Sequence, residues 1–299
     1  MNYVVAVDLG GTQIKSALVD ADLNIIASNL TATPSQDFDG KKTIQKIAQI
    51  VNKFGELQNI QAVGLALPGA LDEPSGITRW SGNLQWENLP IRDLLQKEIE
   101  IPVAFGHDAR TAALAELRNG VAQGMTNALY IPLGTGISTA LIVDGVIRSA
   151  DGYSGEIGHI NVNGKYKCVC GKFGCLEATA STLAISKAYE FKGGNSGTSS
   201  KDIYQLMMNG DLIASEVWSE AMLALAKGCE TLITILAPEM IVFGGGLSIA
   251  GNFLLEPIQN YLDKNLTFQR MPLLKIAHYG TKAGIIGCAI IALNLAKDQ

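Results

Sequence analysis

The two halves of this 299-residue chain each open with the same short pattern, a glycine turn between apolar strands. The first turn, Asp8-Leu-Gly-Gly-Thr12, follows an apolar run at 3–7 and precedes runs at 14–19 and 25–30. The second, Leu133-Gly-Thr-Gly136, follows 128–132 and precedes 138–143. Strand periodicity around both turns, with helical periodicity at 41–54, 108–119, 177–191, 201–208, 212–236, 252–264 and 283–295, predicts an α/β protein. Further strands are expected at 62–67, 103–105, 240–243 and 273–278. The repeated opening predicts two similar α/β halves with a ligand between them.

The turns themselves suggest the ligand. Paired glycines let the backbone adopt positive φ and bring bare N–H groups close to an anion. Gly10, Gly11 and Thr12 offer this in the first half, and Gly134, Thr135 and Gly136 in the second. Asp8, at the end of its strand, is suited to hold Mg²⁺ or its waters. An ordinary hairpin turn leaves the same local trace, so the weight lies on the matched positions. A dinucleotide-binding Rossmann turn is disfavoured, because the first glycines lead into a strand and not a helix. Gly244-Gly245-Gly246 lies between a buried strand and a helix. It reads either as a plain connection or as bare backbone for a flat ring or ribose.

Asp108 ends a strand and starts a helix, beside His107. An aspartate there is a common helix cap. It is also placed to accept a hydroxyl proton during phosphoryl transfer, with the helix N-terminus favouring its ionised form.

Cys168, Cys170 and Cys175 crowd into eight residues, with His159 nearby in Gly155-Glu-Ile-Gly-His159. Three thiolates and an imidazole make a closed tetrahedral zinc shell, which leaves no open position and is structural. Glu156 and Glu177 flank this cluster and read either as acceptors of paired sugar hydroxyls or as a solvated charge or a helix cap. Cys229 and Cys288 lie in apolar helical stretches and read as core residues.

Composition excludes several classes. The net charge is −5, and no basic block exceeds Lys41–Lys42, which argues against nucleic acid and anionic membranes. The chain has no run of 18 apolar residues and no signal-peptide pattern, so a cytoplasmic protein is expected. The five cysteines are odd in number, which fits a metal site better than a disulfide framework.

Taken in order, Asp8-Leu-Gly-Gly-Thr12, Leu67-Pro-Gly69, His107-Asp-Ala-Arg110, Leu133-Gly-Thr-Gly136, Glu156-Ile-Gly-His159, Cys168-Val-Cys-Gly-Lys-Phe-Gly-Cys-Leu-Glu177 and Gly244–Gly246 resemble the ROK family (repressor, open reading frame, kinase) over nearly the whole chain. The resemblance implies an actin/hexokinase-like fold of two ribonuclease-H-like lobes around a central cleft. The small lobe would be 1–107 completed by 282–299, and the large lobe 108–281. It implies an ATP- and Mg²⁺-dependent hexose kinase, glucose and its 6-OH first, with N-acetylmannosamine or N-acetylglucosamine as alternatives. Asp108 matches the catalytic base. Gly69, His107, Asp108, Glu156, His159 and Glu177 match sugar-binding positions, with Asn83 a further candidate. His159, Cys168, Cys170 and Cys175 match zinc ligands. Gly10, Gly11, Thr12, Gly134, Thr135, Gly136, Gly244, Gly245 and Gly246 fall on the nucleotide side with Asp8. A homodimer is common in the family. Its sugar-sensing repressors, which are non-catalytic regulators, carry an N-terminal helix-turn-helix, whereas this chain begins directly with the strand before Asp8.

Five residues depart from the family pattern. His107 and Arg110 stand where Asn is usual, Gln13 where Lys is frequent, and Ser138-Thr139 where glycines often follow the second turn.

Overall fold

The computed structural model describes residues 3–298. The expected lobe limits at Met1 and Gln299 lie outside the described residues. The chain divides into two compact units, Met1–Arg118 with Ser149–Ser154 and Lys282–Gln299, and Asn119–Arg148 with Gly155–Thr281.

In the first unit, β1 (Tyr3–Leu9), β2 (Gln13–Asp20) and β3 (Ile25–Ala32) form an antiparallel meander. After α1 (Lys41–Gly55), β4 (Ile60–Leu67) joins β1 in parallel. A small antiparallel sheet follows: β5 (Ala70–Asp72), β6 (Ile77–Ser81) and β7 (Trp86–Leu89). Then come α2 (Ile91–Ile99), β8 (Val103–His107) parallel to β4, and α3 (Asp108–Asn119). The main sheet runs β3-β2-β1-β4-β8. β1 and β4 are covered on both faces, which is why they read as continuous apolar runs and not as alternating ones. One face packs Val5, Val7 and Leu65 under α1 and α2. The other packs Val4, Ala6, Ala62 and Ala66 under the C-terminal helix Ala283–Lys297. Small side chains at those sheet positions let that helix lie close: a Cβ on Gly64 would sit 1.9 Å from the Cys288 carbonyl oxygen.

The second unit repeats the plan. β9 (Ala128–Pro132), β10 (Ala140–Val143) and β11 (Val146–Arg148) form the meander. A 3₁₀ turn (Ile157–His159) and helices α4 (Glu177–Ala180), α5 (Thr182–Phe191), α6 (Ser200–Met208) and α7 (Leu212–Leu236) follow. β12 (Met240–Gly244) joins β9 in parallel, α8 (Asn252–Asn265) follows, and β13 (Leu273–Ile276) joins β12. The order β11-β10-β9-β12-β13 has the same sequence of antiparallel and parallel neighbours as the first sheet. The C-terminal helix is α9 in chain order.

Two sequence expectations change. The single helix expected over 177–191 is two, because Ser181 leaves helical geometry and caps α5, its hydroxyl accepting from the Ala184 N–H at 3.1 Å. The strand expected from 138 starts at Ala140. The stretch Gly280–Lys297 is long and apolar enough to cross a membrane, but half of it is buried, and α9 packs on β1 and β4 as a core helix.

Candidate active site

In the first unit the glycine turn joins β1 to β2. The Gly10 N–H donates to the Gln13 carbonyl at 2.9 Å, and the Thr33 hydroxyl donates to the Gly10 carbonyl at 2.7 Å. Gly11 is needed locally, since a Cβ there would lie 3.0 Å from both Cβ and O of Asn83. Asn83 is thus brought onto the turn, exposed, with Gly11 and Thr12 exposed beside it. Gly69 has φ +125°, and a Cβ on it would meet the Trp80 carbonyl at 2.3 Å. That glycine is required by the β5–β6 hairpin, whatever it touches in addition.

Asp8 lies opposite Lys15 in the β1–β2 register, with Nζ 3.7 Å from Oδ2. Burial pushes the Asp8 pKa up to about 6, against the pull of Lys15 and with a further rise from Asp108. The two aspartates are therefore near enough to feel each other's charge. A Cβ on Gly284 of α9 would meet Asp8 Oδ2 at 2.6 Å, so the carboxylate is wedged against bare helix backbone. A desolvated carboxylate facing one lysine gains from a divalent cation, and Asp8 with the Gly10–Thr12 turn fits Mg²⁺ carried by a nucleotide.

Asp108 begins α3. Its Oδ1 accepts from the Ala109 N–H at 2.6 Å, and the same N–H lies 3.2 Å from His107 Nδ1. The side chain is 38% exposed. Desolvation raises its pKa above the carboxylate norm, partly offset by that N–H and by Arg110. His107 is held near pKa 3 by burial and then by the Arg110 charge, opposed by Glu73. It is neutral, and because Nδ1 accepts, the ring carries its proton on Nε2. The His107–Asp108 contact is accordingly no ion pair.

Glu73 and Lys15 enter as site neighbours that sequence reasoning missed, and Arg110, singled out in the sequence only as a departure from the family pattern, joins them. Glu73 Oε1 accepts from the His107 N–H at 2.9 Å and from Arg110 Nε at 3.0 Å. For Lys15 a signal existed: in a hairpin centred on Gly11-Thr12, residues 8 and 15 face each other. For Glu73, 34 residues from His107, there was none.

In the second unit the turn after β9 is stitched by Gly134 N–H to the Gly136 carbonyl at 3.1 Å and by Thr182 N–H to the Gly134 carbonyl at 2.8 Å. Thr135 is exposed. Glu177, at the start of α4, accepts from the Ile137 N–H through Oε2 at 2.9 Å, and a Cβ on Gly136 would meet that oxygen at 2.7 Å. Gly158, between Glu156 and His159, packs against the Ile137 carbonyl and the Glu177 Cβ. The second turn, Glu156-Ile-Gly-His159 and Glu177 therefore form one cluster. Of Gly244-Gly245-Gly246, the first is needed by the Tyr130 hydroxyl and the second, at φ +77°, by the Leu133 backbone. Gly246 alone is exposed, with nothing within 4 Å of an added Cβ.

The ligand atoms of His159, Cys168, Cys170 and Cys175 all lie within 4.8 Å of one another. Cys170 Sγ is 3.6 Å from Cys175 Sγ, and Cys168 Sγ is 3.6 Å from His159 Nδ1. Tetrahedral zinc with Zn–S near 2.3 Å spaces its sulfurs about 3.8 Å apart, so the four residues fit that ion. The loop is formed by bridges Asn161–Cys175 and Lys167–Phe173, with Gly171 and Gly174 at positive φ. Burial pushes the Cys175 thiol up to about 12 and raises Cys168, so thiolates there call for a cation. With Nδ1 turned to the sulfurs, His159 Nε2 lies 3.9 Å from Glu156 Oε2.

These features have counterparts in known proteins. A glucokinase of Halalkalibacterium halodurans is 31% identical over 95% of this chain and 93% of its own. A glucokinase of Thermotoga maritima is 31% identical over 86% of each chain. The crystal structure of a ROK family glucokinase from Streptomyces griseus, in complex with glucose and AMPPNP, superposes with a TM-score of 0.87 at 27% identity, covering 98% of this chain and 100% of that one. The fold is the actin/hexokinase-like α/β fold. The ROK family pattern matches residues 4–295, a span that takes in both glycine turns, the start of α3 and the cysteine loop, and the chain belongs to that family.

Proposed function

We propose that this chain is an ATP-dependent hexose kinase that transfers the γ-phosphoryl group to a sugar hydroxyl, glucose 6-OH first, with Asp108 as general base. The observation that carries the reading is the placement of Asp108. Its partly exposed carboxylate opens α3 within charge-sensing range of Asp8, in the same unit as the Gly10–Thr12 turn. A raised carboxylate pKa suits a base that must take a proton near neutrality. The glucokinase relatives support the acceptor and the donor.

In this reading the sugar lies against Gly69, Asn83, His107, Glu156, His159 and Glu177. His107 donates through Nε2–H and leaves the reacting proton to Asp108. Backbone N–H groups of Gly10–Thr12 and Gly134–Gly136 face the phosphates, and Gly246 gives the nucleoside bare backbone. Mg²⁺ held by the nucleotide beside Asp8 would neutralise charge on the transferring phosphoryl oxygens. The zinc ligands order the segment that carries Glu156, His159 and Glu177. Five unpaired cysteines support a reducing, cytoplasmic setting. Exposed Ile235 and Phe268, in segments tied by the Gln269–Thr234 hydrogen bond, offer apolar area to a second copy of a homodimer.

One specific observation favours an amino-sugar acceptor as the second reading: with Nδ1 taken by the Ala109 N–H, His107 has only its Nε2–H left for the acceptor, where an amide is usual in the family. Release of ADP over a panel of hexoses and N-acetylhexosamines tests both. ADP release dependent on glucose sustains the first reading, and release only with an N-acetylhexosamine sustains the second. No sugar-dependent release from the folded, metal-loaded protein leaves a non-catalytic sugar-sensing regulator.

A further inference from the structure

Arg110 is the least expected group near Asp108. It is 5% exposed, its Nε is taken by Glu73, and Nη1 and Nη2 are buried without a hydrogen-bond partner. A buried guanidinium with two unmet nitrogens costs stability and does not earn its place as packing. Its one partner does more than neutralise it. Glu73 Oε1 also accepts the His107 N–H, so a single oxygen ties the turn after β5 to the end of β8 and to the first turn of α3. Gly69 immediately precedes β5, and His107 and Asp108 form the junction of β8 and α3. The charge also reaches the neighbours: behind burial, Arg110 is the next group that lowers His107, and it pulls Asp108 down.

We propose that Arg110 and Glu73 form a brace that positions the acceptor-binding turns, with Arg110 a positioning residue acting through Glu73 on the His107 backbone. The proposal rests on the reading of Asp108 as the acceptor-side base. The brace holds the His107 ring and the Asp108 carboxylate at a fixed distance from the Gly69 turn before sugar arrives. Acceptor binding therefore does not have to order them. Among the described residues, the hydrogen bonds of the β1–β2 turn are made by Gln13 and Thr33, not by this pair. Its removal should be felt by one substrate and not by the other.

Initial rates of wild type, R110Q, E73Q, the double variant and R110K test this, on the hexose the wild type turns over fastest, with thermal midpoints for each. The expected result is an acceptor KM raised about tenfold in R110Q and E73Q, with KM for ATP within about twofold of wild type. The double variant should be no worse than the worse single one, because both remove the same tie. R110K should recover much of the loss, since its ammonium can still meet Glu73. Should R110Q fail to fold, E73Q and R110K carry the same comparison. Acceptor and ATP constants that rise together, losses that add, or coupling seen only in thermal midpoints would overturn the brace and leave an ordinary ion pair. A wild type that turns over no hexose removes the reading beneath it instead.

Discussion

At the level of single residues, two aspartates of the first unit divide the work. Asp108 should be dispensable for folding and not for turnover. Among the described residues its carboxylate accepts from the neighbouring Ala109 N–H, and its side chain is partly solvated. Asp108→Asn should lower kcat by about 10²–10⁴-fold, with circular dichroism and sugar binding retained. Near-normal turnover would refute the base assignment. Asp8 is the opposite case, costly to the fold and useful to the ligand. Its shift from 3.8 to about 6, at 18% side-chain exposure, corresponds to about 3 kcal/mol of destabilisation when the group is ionised. Asp8→Asn should therefore raise the stability of the ligand-free protein at pH 7 by about 1–3 kcal/mol while sharply weakening Mg·ATP use. Urea unfolding and ATP kinetics on the same preparation check both halves; a destabilised variant would contradict the burial argument.

Elements were legible where local pattern and tertiary fate agreed. β1, β4 and α1 showed their burial in unbroken or helical apolar spacing, and α3 begins at Asp108 as its strand-to-helix position suggested. The β5–β7 sheet was not legible. Its strands are three to five residues long, rich in turn residues, and β6 exposes Trp80, so no periodicity is sustained. α5 was hidden differently, by helical spacing that runs through Ser181 although that serine caps a new helix. The glycine turns, Asp108 and the cysteine cluster could be found because their signals are contiguous. Arg110's role could not, because it depends on Glu73 across the β5–β7 insertion. The cysteine loop makes an element-level claim of its own. Few apolar side chains hold it: Val169 and Phe173 are exposed, and its own order comes from two short bridges. Cys170→Ser, or chelation, should strip the metal, lower the midpoint of the second unit by several degrees and weaken sugar binding through Glu156 and Glu177. Metal analysis with calorimetry decides, and a metal-free wild type with full activity would count against it.

For the molecule as a whole, the site leaves a signature in stability against pH. Asp8, with its folded pKa above 3.8, contributes stability that is complete below about pH 4 and is lost as pH rises through about 6. His107, with its folded pKa near 3 against 6.5 unfolded, works the other way: stability rises with pH from about 3 to 6.5. Between about pH 4 and 6 the two slopes oppose, and wild type should be nearly flat there in these two groups. His107→Gln should gain stability relative to wild type as pH is lowered from 6.5 to 4. Asp8→Asn should lose its advantage over the same range. Denaturant midpoints at several pH values read both, and parallel curves for the three proteins would sink the assignment.

The closing of α9 onto β1 sets an order of events during synthesis. Val4, Ala6, Ala62 and Ala66 are capped by Ile285, Cys288, Ala289 and Ala292 of α9, which is synthesised after every strand of both units. The second unit is contained between Asn119 and Thr281 and can close on the nascent chain. β1 and β4 must wait for α9, with an apolar sheet face open to water and to chaperones until that helix has been made. Because Gly284 backs the Asp8 carboxylate, a chain cut before α9 also lacks the helix backbone against which that carboxylate is wedged, and such a product would be both sticky and silent.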